Sequence, residues 1–267
     1  VFYYGHAGAM LVGDLSLPAG AWFPWHDHPV HQLVWSARGI AAVTVDDAHW
    51  VLPPSRALWV PAGVWHRTGT LGHADLRGIY ADPERCPVGW PQPRLVAVRP
   101  LLRELLEYLS AEGLAAAPRK RAEAVAFDLL EPLEVTTITV PTPADPRARD
   151  AAAVVLADPA DARGLAELGR VVGASERTLA RAFTRDCRMT FGTWRTQVRL
   201  RAALPLLAAG LPMTTVAHRV GYATASAFVA AFRRAVGVPP GAYFSATIDA
   251  TVSARTAATS RPASARS

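Results

Sequence analysis

The sequence predicts an α+β protein of two domains. An N-terminal β-barrel of jelly-roll type is followed by a helical hairpin and linker, then by an all-α domain carrying two tandem helix-turn-helix units. Three observations predict this. The first 94 residues are dense in Gly, Pro, Trp and β-branched residues, with a turn signal every few positions. From residue 99 the apolar period becomes helical and stays so almost to the end. The net charge of +6 divides into −1 over residues 1–94, −2 over 95–144 and +9 over 145–267, so all the excess positive charge sits in the C-terminal part.

Within residues 1–94, the short runs 32–35, 40–45, 50–52 and 57–60 read as strands bounded by Gly, Pro and Asp. Many short, punctuated strands argue for a jelly roll or sandwich. Seven of the eight Trp residues lie here, as expected for an aromatic-lined barrel. Residues 95–147 form the hairpin and linker. Leu101, Leu102, Leu105, Leu106 and Leu109 recur at helical spacing. Pro118 interrupts, and a second helix runs from 119 to 130. The Leu stripe needs a partner, and either the barrel or a second copy of the chain would serve, making a homodimer. Residues 148–247 form the helical domain, in which Pro205 is expected to kink a long helix late in its course. Residues 248–267 lack periodicity and read as a disordered tail.

No stretch of eighteen apolar residues occurs, and no secretory leader is legible at the start, so the sequence predicts a cytoplasmic protein without a membrane span. Two isolated cysteines, Cys86 and Cys187, form no disulfide framework and suit a reducing compartment.

The first helix-turn-helix pattern lies in GLAELGRVVGASERTLARAFTR. Leu165, Leu168 and Val172 face one way, Gly173 supplies the turn, and Ser175 can cap the next helix. Leu179 and Phe183 make an inner i,i+4 pair, while Arg177, Arg181 and Arg185 recur on another face beside Thr178. A guanidinium fork matches the O6/N7 edge of guanine, and neighbouring cations neutralise phosphates. Double-stranded DNA is therefore the expected partner. The second pattern has Val216, Ala217 and Val220 before Gly221, then Thr224 as a cap, Phe228 and Phe232 inside, and Arg233 and Arg234 at the far end. The closing run of Gly221, Tyr222, Ser226, Phe228, Phe232, Arg233, Arg234, Gly237 and Pro240 resembles the AraC/XylS family of transcriptional regulators. That resemblance covers nearly a hundred residues and implies two units entering successive major grooves. By position, Arg177 and Arg181 would be the chief base readers. The second unit offers Ala223, Ala225, Ser226 and Ala230, so it would anchor phosphates more than discriminate bases.

In the N-terminal half, residues 20–39 carry His26, His28, His31 and Gln32, and residues 61–66 read PAGVWH, ending in His66. His26 and His28 are two apart on an expected strand and would share a side. With Gly20, Gly39, Pro61 and Gly63 at the expected spacing, this resembles the two motifs of cupins. The resemblance puts His26, His28, Gln32 and His66 at the metal-ligand positions. Gln32 departs from the usual Glu or His and is a weak, neutral ligand; His31 could replace it if the loop bends differently. Three imidazoles suit zinc, iron, nickel, cobalt or copper, and a pocket taking a small organic effector is the other reading. His6, His49 and His73 lie outside the motif and read as surface residues.

Together these features predict a non-enzymatic, sequence-specific regulator controlled by a metal ion or small effector. The competing reading is a cupin metalloenzyme of dioxygenase or isomerase type fused to a DNA-binding domain. A strongly basic tandem helix-turn-helix half favours the regulator.

Overall fold

The computed structural model describes residues 9–15, 17–133 and 138–244. Contacts divide the chain into two compact units, one of Val1–Ala41, Leu52–Val135 and Phe244–Ser267, the other of Ala42–Val51 and Thr136–Tyr243. The tail expected over 248–267 and His6 lie outside the described residues.

The first unit is built on an antiparallel sheet. Its strands are β1 (Met10–Leu15), β2 (His31–Ser36), β5 (Arg56–Val60), β7 (Leu76–Ala81) and β8 (Arg94–Ala97), in the order β1-β7-β2-β5-β8, while β6 (His66–Thr70) lies outside this sheet. Neighbours in space are not neighbours in sequence, as a jelly roll requires. Alternation along each strand gives the sheet two faces. Leu33, Trp35, Ala57, Trp59, Ile79, Ala81, Val96 and Val98 join one hydrophobic core with α1 (Pro100–Ser110) and α2 (Ala116–Asp128). Gln32 and Tyr80 belong to the opposite parity and are direct cross-strand partners.

The helical hairpin thus spends its apolar stripe on the sheet. Leu102, Leu106 and Leu109 are buried to 1% exposure, each contributing roughly 1.5–3 kcal/mol. Leu101 departs from the expected stripe and is 59% exposed, because only three consecutive turns of one face reach the sheet. Pro118 does not interrupt α2 but lies in its first turn, where the missing N–H has no intrahelical acceptor to lose. On the same helix Glu123 is buried, accepting from Ala9 N (2.9 Å) and from Arg119 Nε (3.1 Å). Arg119 Nη2 donates to Met10 O at 2.9 Å. The pair clasps the start of β1.

The second unit contains a β-hairpin and the helices. Strands β3 (Ala41–Val45) and β4 (Ala48–Leu52) are joined by a turn in which Asp46 takes φ 47°. A two-residue strand, β9 (Ile138–Thr139), pairs antiparallel with β4. The helices described are α3 (Pro146–Ala157), α4 (Leu165–Val172), α5 (Glu176–Cys187), α6 (Phe191–Ala208), α7 (Met213–Arg219), α8 (Ala225–Val236) and α9 (Pro240–Phe244). Their starts are written locally. Asp145, Ser175, Thr190 and Thr224 each accept a backbone N–H in the first turn, worth about 1 kcal/mol apiece. Gly173 ends α4 at φ 67°. Gly169, inside α4, is demanded by packing instead: a Cβ there would sit 2.4 Å from Ala174 O. α6 continues through Pro205.

Two aromatic clusters hold the helices. Phe183, Phe191 and Trp194 meet in one, with Trp194 Nε1 donating to Pro141 O at 2.8 Å. Phe228 contacts Tyr222 and Phe232, and Phe232 contacts Tyr243 in the other. His49 on β4 is half-buried, with Nδ1 3.1 Å from Thr44 Oγ1 and Nε2 3.1 Å from Arg201 Nη1. The reading of His49 as a surface residue is therefore corrected; His73 is exposed as expected.

Candidate nucleic-acid interface and histidine cup

The two helix-turn-helix units place the expected reading residues unequally. On α5, Arg177 and Arg181 are exposed, with no hydrogen bond or ion pair among the described residues. Thr178 instead serves the helix start: its N–H donates to Ser175 Oγ at 3.1 Å, and the two hydroxyls lie 2.8 Å apart. Arg185 is also committed. Its Nε and Nη2 lie 2.6 and 3.0 Å from the two oxygens of Asp186. Asp186 in turn accepts from Ala144 N and Asp145 N. These bonds, Arg185 foremost, hold the Asp186 carboxyl at about 2. The Arg row seen in sequence thus resolves into two uncommitted guanidinia and one that braces the start of α3.

On α8, Thr224 caps the helix. Ser226 and Ala230 are exposed, and with Ala225, Val229, Arg233 and Arg234 they line a shallow concavity. Short side chains occupy its floor and two cations its end. The α6 arginines are structural. Arg195 Nη1 donates to Arg163 O at 2.9 Å, and Arg199 Nε and Nη2 donate to Pro159 O and Asp161 O. Part of the +9 charge therefore satisfies half-buried backbone carbonyls.

The second site lies in the first unit. His26, His28 and His66 each offer one nitrogen within 4.8 Å of the others. The expected strand through His26 and His28 is not formed. His26 makes an isolated antiparallel bridge with His66 through two 2.9 Å backbone bonds, and His28 lies beyond it in a loop. Gly63 N donates to His28 O at 2.9 Å and ties that loop to the second motif. The trans-chain pairing, not strand parity, brings the rings together.

The ring orientations decide the chemistry. Nδ1 of His26, His28 and His66 lies 2.8 Å from the carbonyls of Pro24, Val30 and Val64 respectively. A carbonyl only accepts, so each Nδ1 carries a proton, and in the neutral ring it is Nε2 that keeps the lone pair. This is the outer-shell bonding that fixes metal-ligating imidazoles. Burial holds His66 down to about 4, against the upward pull of its bond to Val64 O, so that ring is neutral at ordinary pH. Gln32 Oε1 lies 3.1 Å from His28 Nε2 and 3.0 Å from His66 Nε2, and Gln32 Nε2 donates to Tyr80 Oη at 3.2 Å. His31 points elsewhere: its Nδ1 accepts from Ala62 N, and its ring packs on Trp59. Three imidazoles and an amide oxygen fit a divalent transition ion, and Gln32 rather than His31 faces the cluster.

Sequence reasoning missed Tyr80 and Asp186. Neither belongs to a motif. Tyr80 reaches Gln32 only through the β2–β7 register, and Asp186 acts on backbone some forty residues away.

An N-terminal β-rich domain with a histidine cup and a C-terminal pair of helix-turn-helix units define a class, and the comparisons agree. Residues 168–246 match the model of a helix-turn-helix domain, and residues 13–81 match that of a cupin domain. The chain belongs to the AraC-type helix-turn-helix transcriptional regulators with an N-terminal cupin domain. It is 30% identical over 223 residues to the HTH-type transcriptional regulator NimR of Escherichia coli (strain K12), covering 82% of this chain and 81% of that protein. To the HTH-type transcriptional regulator RipA of Corynebacterium glutamicum it is 38% identical over 105 residues, 39% of this chain and 32% of that protein. Among solved structures, the C-terminal domain of AraT, a response regulator from Geobacillus stearothermophilus, is 29% identical over 38% of this chain and 84% of that one, with a TM-score of 0.35. No helix among the described residues is long and apolar enough to cross a membrane.

Proposed function

We propose that this regulator binds its operator in response to a divalent transition metal ion held by His26, His28 and His66, with Gln32 as a weak fourth ligand. The observation that carries the reading is the fixed tautomer of all three imidazoles, each with Nδ1 on a backbone carbonyl. When bound, the ion supplies positive charge and a preferred ligand arrangement at the cup. Its identity is one of zinc, iron, nickel, cobalt or copper. The chain works as a cytoplasmic homodimer, a second copy covering the exposed Leu101, Tyr108 and Val125 of the α1–α2 hairpin.

Arg177 and Arg181 read base edges in the major groove. Arg233 and Arg234 bind phosphates. Within the second unit the β3–β4 hairpin is tied to the helices: Tyr243 Oη donates to Val51 O at 3.0 Å, and Arg201 Nη1 lies 3.1 Å from His49 Nε2.

Elemental analysis of natively purified protein tests the metal. The wild type should carry a stoichiometric transition ion, and the His26→Ala/His28→Ala double variant should lack it. Metal retained by the double variant would place the site elsewhere.

A further inference from the structure

Gln32 stands where two bare imidazole nitrogens need something to face. In the neutral rings Nε2 of His28 and Nε2 of His66 carry the lone pairs, because the Nδ1 protons are committed to Val30 O and Val64 O. The atom of Gln32 nearest both is Oε1, at 3.1 and 3.0 Å. An oxygen facing two lone pairs is attractive only with a cation among them. A half-turn of the terminal torsion exchanges the oxygen and nitrogen of an amide without moving either position. After that turn the NH2 group faces the same two nitrogens with two hydrogens for two acceptors, and the oxygen faces Tyr80 Oη, which can donate to it. Gln32 and His66 are each at most 2% exposed, so water is a poor substitute in either state.

We infer that the Gln32 amide is a two-position switch, with oxygen toward the imidazoles when an ion is bound and nitrogen toward them when it is not. The inference rests on the metal reading of the cup. Tyr80 is the positioning residue: its hydroxyl accepts in the first state and donates in the second. Gly78 makes room for it, since a Cβ there would lie 2.8 Å from Tyr80 Oη. A carboxylate at this position holds an ion more strongly but has no hydrogen to offer in the ion-free state. The amide therefore satisfies the cup in both states and keeps the ion exchangeable, as reversible sensing requires.

The test uses the full chain with zinc as the probe. Gln32→Glu should bind zinc about tenfold or more tightly than the wild type, since affinity follows ligand charge. After chelation Gln32→Glu should melt below the wild type, so its zinc-induced rise in Tm should be the larger. Equal or weaker zinc binding by Gln32→Glu beside a zinc-binding wild type would overturn the switch. So would a chelated Gln32→Glu that melts no lower. Should that variant fail to fold, the wild type alone decides by nuclear magnetic resonance. A scalar coupling across an N–H···N bond from the Gln32 amide nitrogen to an imidazole Nε2 should appear in chelated protein and vanish with zinc. Its absence from chelated protein would refute the inference. If the wild type takes up no zinc or other transition ion, the metal reading falls and this one falls with it.

Discussion

Of the arginines on α5, Arg177 and Arg181 hold no intramolecular partner among the described residues, whereas Arg185 is pinned by Asp186. Substitutions should separate them. Arg177→Ala or Arg181→Ala should each cost roughly 1–3 kcal/mol at the specific operator and relax preference at one base position. Arg185→Ala should cost less in affinity, because that guanidinium already faces a carboxylate. Arg233→Ala should weaken binding alike on all sequences and lower the salt slope by about 1. Fluorescence anisotropy across a salt series with specific and scrambled duplexes measures all four. Asp186 gives a pH signature. Its carboxyl falls from an ordinary 3.8 to about 2 in the fold. The stability it contributes is thus present above the ordinary value and is lost as pH falls through 2. Asp186→Asn should flatten the acid limb of a stability-versus-pH curve; an unchanged limb would contradict the role of its caps.

At the scale of elements, the α1–α2 hairpin belongs to the core of the first unit. Leu106→Ala should cost about 2–5 kcal/mol in urea unfolding, whereas Leu101→Ala, at an exposed site, should change stability little. Gly169→Ala should destabilise the first helix-turn-helix, since its methyl would meet Ala174 O. The helix-turn-helix units were legible because their signals are local: Gly173 at the turn, Ser175 and Thr224 at the caps, and the inner pairs Leu179–Phe183 and Phe228–Phe232 four residues apart. The strands β2 to β5 were legible from turn punctuation. Much else was not, since it depends on pairing across the chain. The His26–His66 bridge replaces the strand expected through His28, and β4 owes its partner β9 to a segment some ninety residues away. The partners of Arg195 and Arg199 on α6 were not legible, because sequence does not reveal that the carbonyls of Pro159, Asp161 and Arg163 lie within their reach.

For the whole molecule, the histidine cup and the helices α5 and α8 belong to different units. A regulator needs the ion to favour one of two operator affinities, and the coupling equals the difference it makes between them. Arg201→Met, which removes the His49 contact while keeping length and apolar bulk, should leave metal content unchanged and reduce the metal-dependent shift in operator affinity. The deciding measurement is operator affinity of the full chain with and without its ion, in the wild type and in His26→Ala/His28→Ala. The account predicts a several-fold change in Kd for the wild type on chelation, restored by the ion, and none for the double variant. A wild-type Kd that is the same in both conditions would contradict it.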